Sequence, residues 1–279
     1  MIGFACLLIG LALTEHTQDP FGQSQLEEPI SSVPQIRLIH RDWGNACPLD
    51  VERLLTSVTK DLFPLTGKKN WNSILVGKSS TGPIVLFQRG KKGEYLVNLN
   101  ANDQFWCRYA FQFAHEIGHI ICGFNERSHG NLWFEESICE VFSLYALHSL
   151  SDRWERCPPY PNWQEYAQEF SKYAEKRMTR HSLTEGKKFS DWYRKNVHSL
   201  SMDSSNHSGH SKIATKLYPL FRSNAHSWSS CVYLNDQNAT ESKNFRNYLL
   251  DWKENCPKPE QKKFVNQILD LFDLWSSKE

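Results

Sequence analysis

The chain has 279 residues, enough for one large domain or two small ones, and its 40% hydrophobic and 23% charged content excludes a disordered chain. Lys+Arg at 32 and Asp+Glu at 31 leave a formal charge of +1, so no nucleic-acid partner is expected from bulk electrostatics.

The first element is an apolar, uncharged run from Ile2 to Leu13. It falls short of the roughly 20 residues a spanning helix needs, so no stable membrane span is expected. It has the form of a secretory h-region, with Gly10-Leu11-Ala12 as a small-x-small cleavage site and no basic n-region before it. Residues 1–14 are therefore expected to be a signal peptide of a secreted or periplasmic protein; retention of Met1 would place it in the cytoplasm instead. The polar, proline-bearing stretch 15–34 reads as a flexible lead-in. Beyond Cys6 there are seven cysteines, none with CxxC spacing, and an odd count leaves a thiol unpaired. Cys139, on an apolar helical stripe, is the candidate.

From Gln35 the pattern becomes regular. QIRLIHR (35–41) reads as a strand, and PLDVERLLTSVTKDLF (48–63) carries apolar residues at helical spacing before Pro64. NSILVG (72–77), PIVLFQ (83–88) and EYLVNLN (94–100) are strand-like, the last two joined by an RGKKG turn. A helix follows over about 103–123, with Trp106, Tyr109, Phe113, Ile117, Ile120 and Ile121 on a 3.6 period and Gly123 as its stop. A polar loop leads to a second helix at 134–150. After a break at 152–162, helices are expected at 163–181, 187–198, 211–223, 242–254 and 260–276, with 199–211, SLSMDSSNHSGHS, as a serine-rich loop or lid. The order implies an α+β domain at 35–150 followed by a mostly helical region at 151–279.

The first of these two helices contains HEIGH. His115 and His119, at i and i+4, share one helical face and can hold one metal ion, while Glu116 sits beside them to take a proton from an activated water. The second helix offers Glu136 and Glu140, again i and i+4. A third metal ligand followed by a carboxylate supporting a ligand histidine would explain two like charges on a half-buried helix. Glu136 is the preferred third ligand and Glu135 the adjacent alternative.

HExxH followed by E-x-x-x-(acid or amide) on the next helix resembles the gluzincin arrangement, as in thermolysin. The stretches YLVNLNANDQFWCRYAFQFAHEIGH and ESICEVFS look similar to the ImmA/IrrE-like metallopeptidases, over roughly residues 94–150. The resemblance implies a zincin-like domain, a small mixed sheet with an active-site helix and a glutamate helix. It further implies one Zn2+ ion held by His115, His119 and Glu136, Glu116 as general base, and Glu140 supporting the ligands from outside. Glu140 stands where that family usually has asparagine. A second likeness, of SHGNLWF (128–134) to SprT-like proteases, offers His129 as an alternative third ligand.

A peptide substrate is expected beside EYLVNLN, added to a sheet edge. His207, His210 and Tyr218 are the candidate oxyanion stabilisers. The expected function is zinc-dependent endopeptidase action on a protein or peptide. The alternative is a catalytically silent zincin serving as an extracytoplasmic binding or regulatory module.

Overall fold

Four short strands, nine α-helices and two short 3-10 helices make up the regular structure of the described residues. The structure is a computed structural model, and it describes residues 32–39, 42–123, 130–184, 186–203, 206–224, 226–235 and 244–275. The expected signal peptide at 1–14, most of the lead-in, and His129 lie outside the described residues.

The strands are β1 (Ile36–Leu38), β2 (Ile74–Lys78), β3 (Ile84–Leu86) and β4 (Tyr95–Leu99), in spatial order β1-β2-β4-β3. β1 pairs parallel with β2 and β2 parallel with β4, with Ile36 opposite Ile74 and Val76 opposite Val97. β3 and β4 form the expected hairpin, antiparallel with Val85 opposite Val97, closed where the Gly90 N–H bonds the Glu94 carbonyl at 2.9 Å. One expectation is corrected here. EYLVNLN has no free edge, because β4 is hydrogen-bonded on both sides; the edge strand beside it is β3, and β1 is the other edge.

Tyr95, Val97 and Leu99 of β4 are buried while Leu96 and Asn98 are half-exposed, the alternation of a sheet covered on one face. Helix α1 (Pro48–Leu62) makes the crossover from β1 to β2 and buries Val51, Leu54, Leu55, Val58 and Leu62. Helix α2 (Trp106–Ile121) packs on β3, β4 and α1. All six of its periodic apolar residues named above are buried.

Helix α3 (Leu132–Trp154) is longer than expected and continues through the supposed break at Asp152. It is not half-exposed: Ser143 and Leu147 on one side and Ile138, Val141 and Phe142 on the other are all buried, because α2 covers one flank and α4 (Ala167–Arg180) and α6 (His207–Ser223) cover others. Helices α5 (Phe189–Met202), α7 (Ser227–Cys231), α8 (Phe245–Asn255) and α9 (Pro259–Phe272) complete the shell. Trp133 and Phe134 at the start of α3 pack their rings against Phe245 at 4.5 and 4.9 Å and against Phe272 at 6.2 and 6.0 Å. The serine-rich lid is also corrected. Residues 199–202 end α5 and 207–211 open α6, where the Asn206 side chain accepts from the Gly209 N–H at 3.0 Å as an N-cap.

Among the described residues, no helix is long and apolar enough to cross a membrane.

Candidate metal centre

The histidines are presented by the one stripe of α2 that is not buried, and the glutamates by the facing turn of α3. Close approach of the two helices depends on Gly118, between the histidines. A Cβ there would lie 2.9 Å from the Cys139 Cα and 3.0 Å from its Sγ, so no side chain fits without moving backbone.

At this crossing His115 Nε2 stands 3.0 Å from Glu136 Oε2, and His119 Nε2 3.5 Å from Glu136 Oε1. Two ligands about 2.1 Å from a tetrahedral zinc would be about 3.4 Å apart, and these distances bracket that value. His119 Nδ1 is taken by Glu135 Oε1 at 2.6 Å, which fixes the ring and turns Nε2 towards Glu136. Glu135 is itself held, its Oε2 accepting from Asn235 Nδ2 at 2.7 Å, and Asn235 Oδ1 accepts from the Tyr248 hydroxyl at 3.0 Å. The donor set therefore fits a divalent metal that prefers nitrogen and oxygen ligands. A second donor combination is present on the buried side: ligand atoms of His115, His119 and Cys139 lie within 4.8 Å of one another and could hold a metal ion.

Electrostatics follow from the crowding of acids. Burial opposes charge on His119, but the Glu135 hydrogen bond and the carboxylates of Glu135, Glu136 and Glu116 outweigh it and push the imidazole up to about 10. Burial also opposes the charge on Glu136, yet the His115 hydrogen bond and the nearby charges of His119 and His115 hold it at about 2. Glu116 goes the other way. It is 4% exposed, and burial with the Glu136 charge raises it above the usual carboxylate range, against the pull of His115, His119 and a backbone hydrogen bond from Val85 on β3.

These groups open onto a cleft of about 560 Å³ lined by His115, Glu116, His119, Glu135, Glu136 and Glu140, by residues 82–85 and Phe87 of the β3 edge, and by Phe111, Arg177 and His207. His207 is exposed in it. His210, one turn along α6, is buried behind, and burial lowers its imidazole to about 4 despite the Glu136 and Glu140 charges. Tyr218 is elsewhere: it stacks on His148 at 5.4 Å and does not line the cleft.

The expected part for Glu140 is corrected. Its oxygens accept from Ser211 Oγ at 2.8 and 2.7 Å and from Arg177 Nη2 at 2.9 Å, so it ties α3 to α6 and α4. The carboxylate carrying a histidine is Glu135, which the sequence offered only as an alternative ligand. Asn235, Tyr248 and Arg177 had no sequence signal, since each lies far along the chain and outside any motif. Cys139 was legible as a buried thiol but not as a neighbour of the histidines.

The chain matches no protein-family model, no curated protein and no solved structure.

Proposed function

We propose that the chain is a zinc-dependent peptidase of gluzincin type, cutting a peptide laid along the β3 edge. The observation that supports this reading most is the convergence of His115 Nε2 and His119 Nε2 on one carboxylate, Glu136, with the buried Glu116 beside them at the floor of an open cleft. His115, His119 and Glu136 would hold the ion. A zinc ion in such a site supplies Lewis acidity and makes a water available for deprotonation near neutral pH. Glu116, its affinity for a proton raised by burial, takes the proton of the attacking water and delivers it to the leaving amine. His207, exposed in the cleft, donates to the developing oxyanion. The β3 edge offers main-chain groups to a peptide in extended form.

The silent alternative draws on Cys139. Were Glu136 and Cys139 both to bind, four protein ligands would close the site as in a structural centre, and the protein would bind rather than cut. Against it, Cys139 is fully buried and burial pushes its thiol well up, so loss of its proton is disfavoured.

Metal analysis of the wild type and of His115→Ala, with cleavage assays on diverse denatured substrates and Glu116→Gln as control, tests the proposal. One zinc per chain, lost in His115→Ala, together with cleavage lost in Glu116→Gln, is expected. Stoichiometric zinc without cleavage would favour the silent reading. A thiolate-to-metal absorption band after cobalt exchange, abolished by Cys139→Ser, would identify the closed site.

A further inference from the structure

The metal cleft does not end at the histidines. The stripe of α2 that escapes burial runs on towards its N-terminus through Phe111 and Arg108 to Phe105, which is 62% exposed. Beside it lies a second hollow of about 400 Å³, walled by Phe105, Cys107 and Arg108 below and by Tyr166, Glu169, Lys172, Tyr173 and Lys176 above. The two hollows have no lining residue in common but adjoin where α4 packs on Phe111. Tyr173 of the second meets the ring of Phe111 of the first at 6.1 Å, and Lys176 is followed directly by Arg177, whose guanidinium lies 3.9 Å over Phe111. From Phe105 to His115 the helix rises about 15 Å, the reach of roughly five residues of extended chain.

The second hollow has a charge sign of its own. Arg108, Lys172 and Lys176 line it against Glu169 alone, whereas the metal end carries Arg177 with Glu116, Glu135, Glu136 and Glu140. Glu169 is engaged by Lys172 at 2.9 Å, and Arg177 is engaged by Glu140 at 2.9 Å. Arg108 bonds only a neutral group, Asn100 Oδ1 at 3.0 Å, and Lys176 has no ion-pair partner among the described residues. Two exposed cations are thus left over, set beside Phe105, Tyr166 and Tyr173.

We infer that this α2–α4 groove is an extended subsite for an acidic peptide segment of the substrate, running from Phe105 to the metal end. The inference rests on the peptidase reading and adds the substrate class. Aromatic walls take apolar side chains of the segment, while Arg108 and Lys176 take its carboxylates. A nucleic-acid strand fits less well, since two uncompensated cations cannot match a phosphate at every nucleotide.

The test uses the full zinc-loaded chain with Glu116→Gln, so that peptides bind without being cut. Labelled peptides long enough to reach from the zinc to Phe105 are compared by fluorescence anisotropy: one rich in Asp and Glu, its uncharged counterpart, its Lys-substituted counterpart, and a single-stranded oligonucleotide. The acidic peptide should bind about tenfold more tightly than the uncharged one, an advantage that fades in high salt. Lys176→Glu, and Arg108→Glu with it, should abolish that advantage and improve binding of the Lys-rich peptide; both side chains are exposed, so the fold is retained. Equal binding across the charge classes, an unchanged preference in the variants, or tighter binding of the oligonucleotide would overturn the inference. If the chain takes up no zinc, the peptidase reading falls, and the same anisotropy series on the metal-free protein still decides the groove. An acidic preference sensitive to Lys176→Glu upholds it, and its absence overturns it.

Discussion

Three glutamates on one helix have three different sets of partners, and the division follows from where each points. Glu136 faces both Nε2 atoms, Glu135 fixes the far nitrogen of His119, and Glu140 braces Arg177 and Ser211. Neighbouring positions on a helix point about 100° apart, so adjacent glutamates could not share one task. Asn235→Ala, which takes the donor from Glu135 Oε2, should weaken zinc binding about tenfold while leaving the helical content intact. Competition against a chelator measures this; an unchanged affinity would show that Glu135 needs no support. Proton linkage provides a second test. Metal-free His119, held at about 10, carries both protons at neutral pH, and ligation through Nε2 requires one to leave. Zinc uptake near pH 7 should therefore release about one proton per ion, read by calorimetry in buffers of different ionisation enthalpy. In the metal-free protein the raised His119 stabilises the fold fully below the ordinary value of 6.5, and this contribution is lost as pH rises through about 10. Glu136 is depressed, so its contribution is present above 4.5 and disappears as pH falls through about 2. Metal-free stability should decline on both sides, and a profile that rises from pH 7 to 10 would contradict the His119 assignment.

At the scale of elements, α2 decides how closely the two halves of the centre approach. Gly118→Ala puts a methyl 2.9 Å from backbone of α3, a neighbour that cannot rotate away. It should cost about 1–3 kcal/mol and loosen the metal, because the histidines and Glu136 ride on the two helices being separated. A variant with wild-type melting temperature and zinc affinity would show that the helices part freely. HEIGH was legible because its spacing is the geometry of a single helix, and the periodic residues of α2 fixed which side would be buried. What pairs across helices was not legible. Nothing in PIVLFQ or EYLVNLN says which is the edge, since that depends on β2 inserting beside β4. The serine and glycine content of 199–211 suggested a loop, yet Gly209 sits in the first turn of α6, where a Cβ would press on the Leu200 Cδ2 at 2.6 Å and that side-chain end would have to shift. Asn206 as an N-cap was the local signal that composition hid.

For the whole molecule, the question is whether the helical region beyond Trp154 merely adjoins the metal centre or is folded with it. Hydrogen bonds run from Tyr248 on α8 through Asn235 and Glu135 to His119, and the Trp133–Phe134 aromatic cluster joins α3 to Phe245 and Phe272. The described residues form a single compact unit, so the metal and the distant cluster should share one unfolding transition. On the proposed function, zinc at one hundred times its dissociation constant should add about 2.7 kcal/mol, which for a unit of this size raises the melting temperature by about 5–10 °C. Phe272→Ala removes a fully buried ring and should cost about 3–5 kcal/mol, lowering the same transition, with the zinc-induced rise still superposed on it. Calorimetry of both proteins, with and without zinc, checks this. Two transitions, one moved only by zinc and the other only by Phe272→Ala, would mean that the centre folds independently of the helices that hold its outer hydrogen bonds. The predicted effect of Asn235→Ala on zinc would then have no path along which to act.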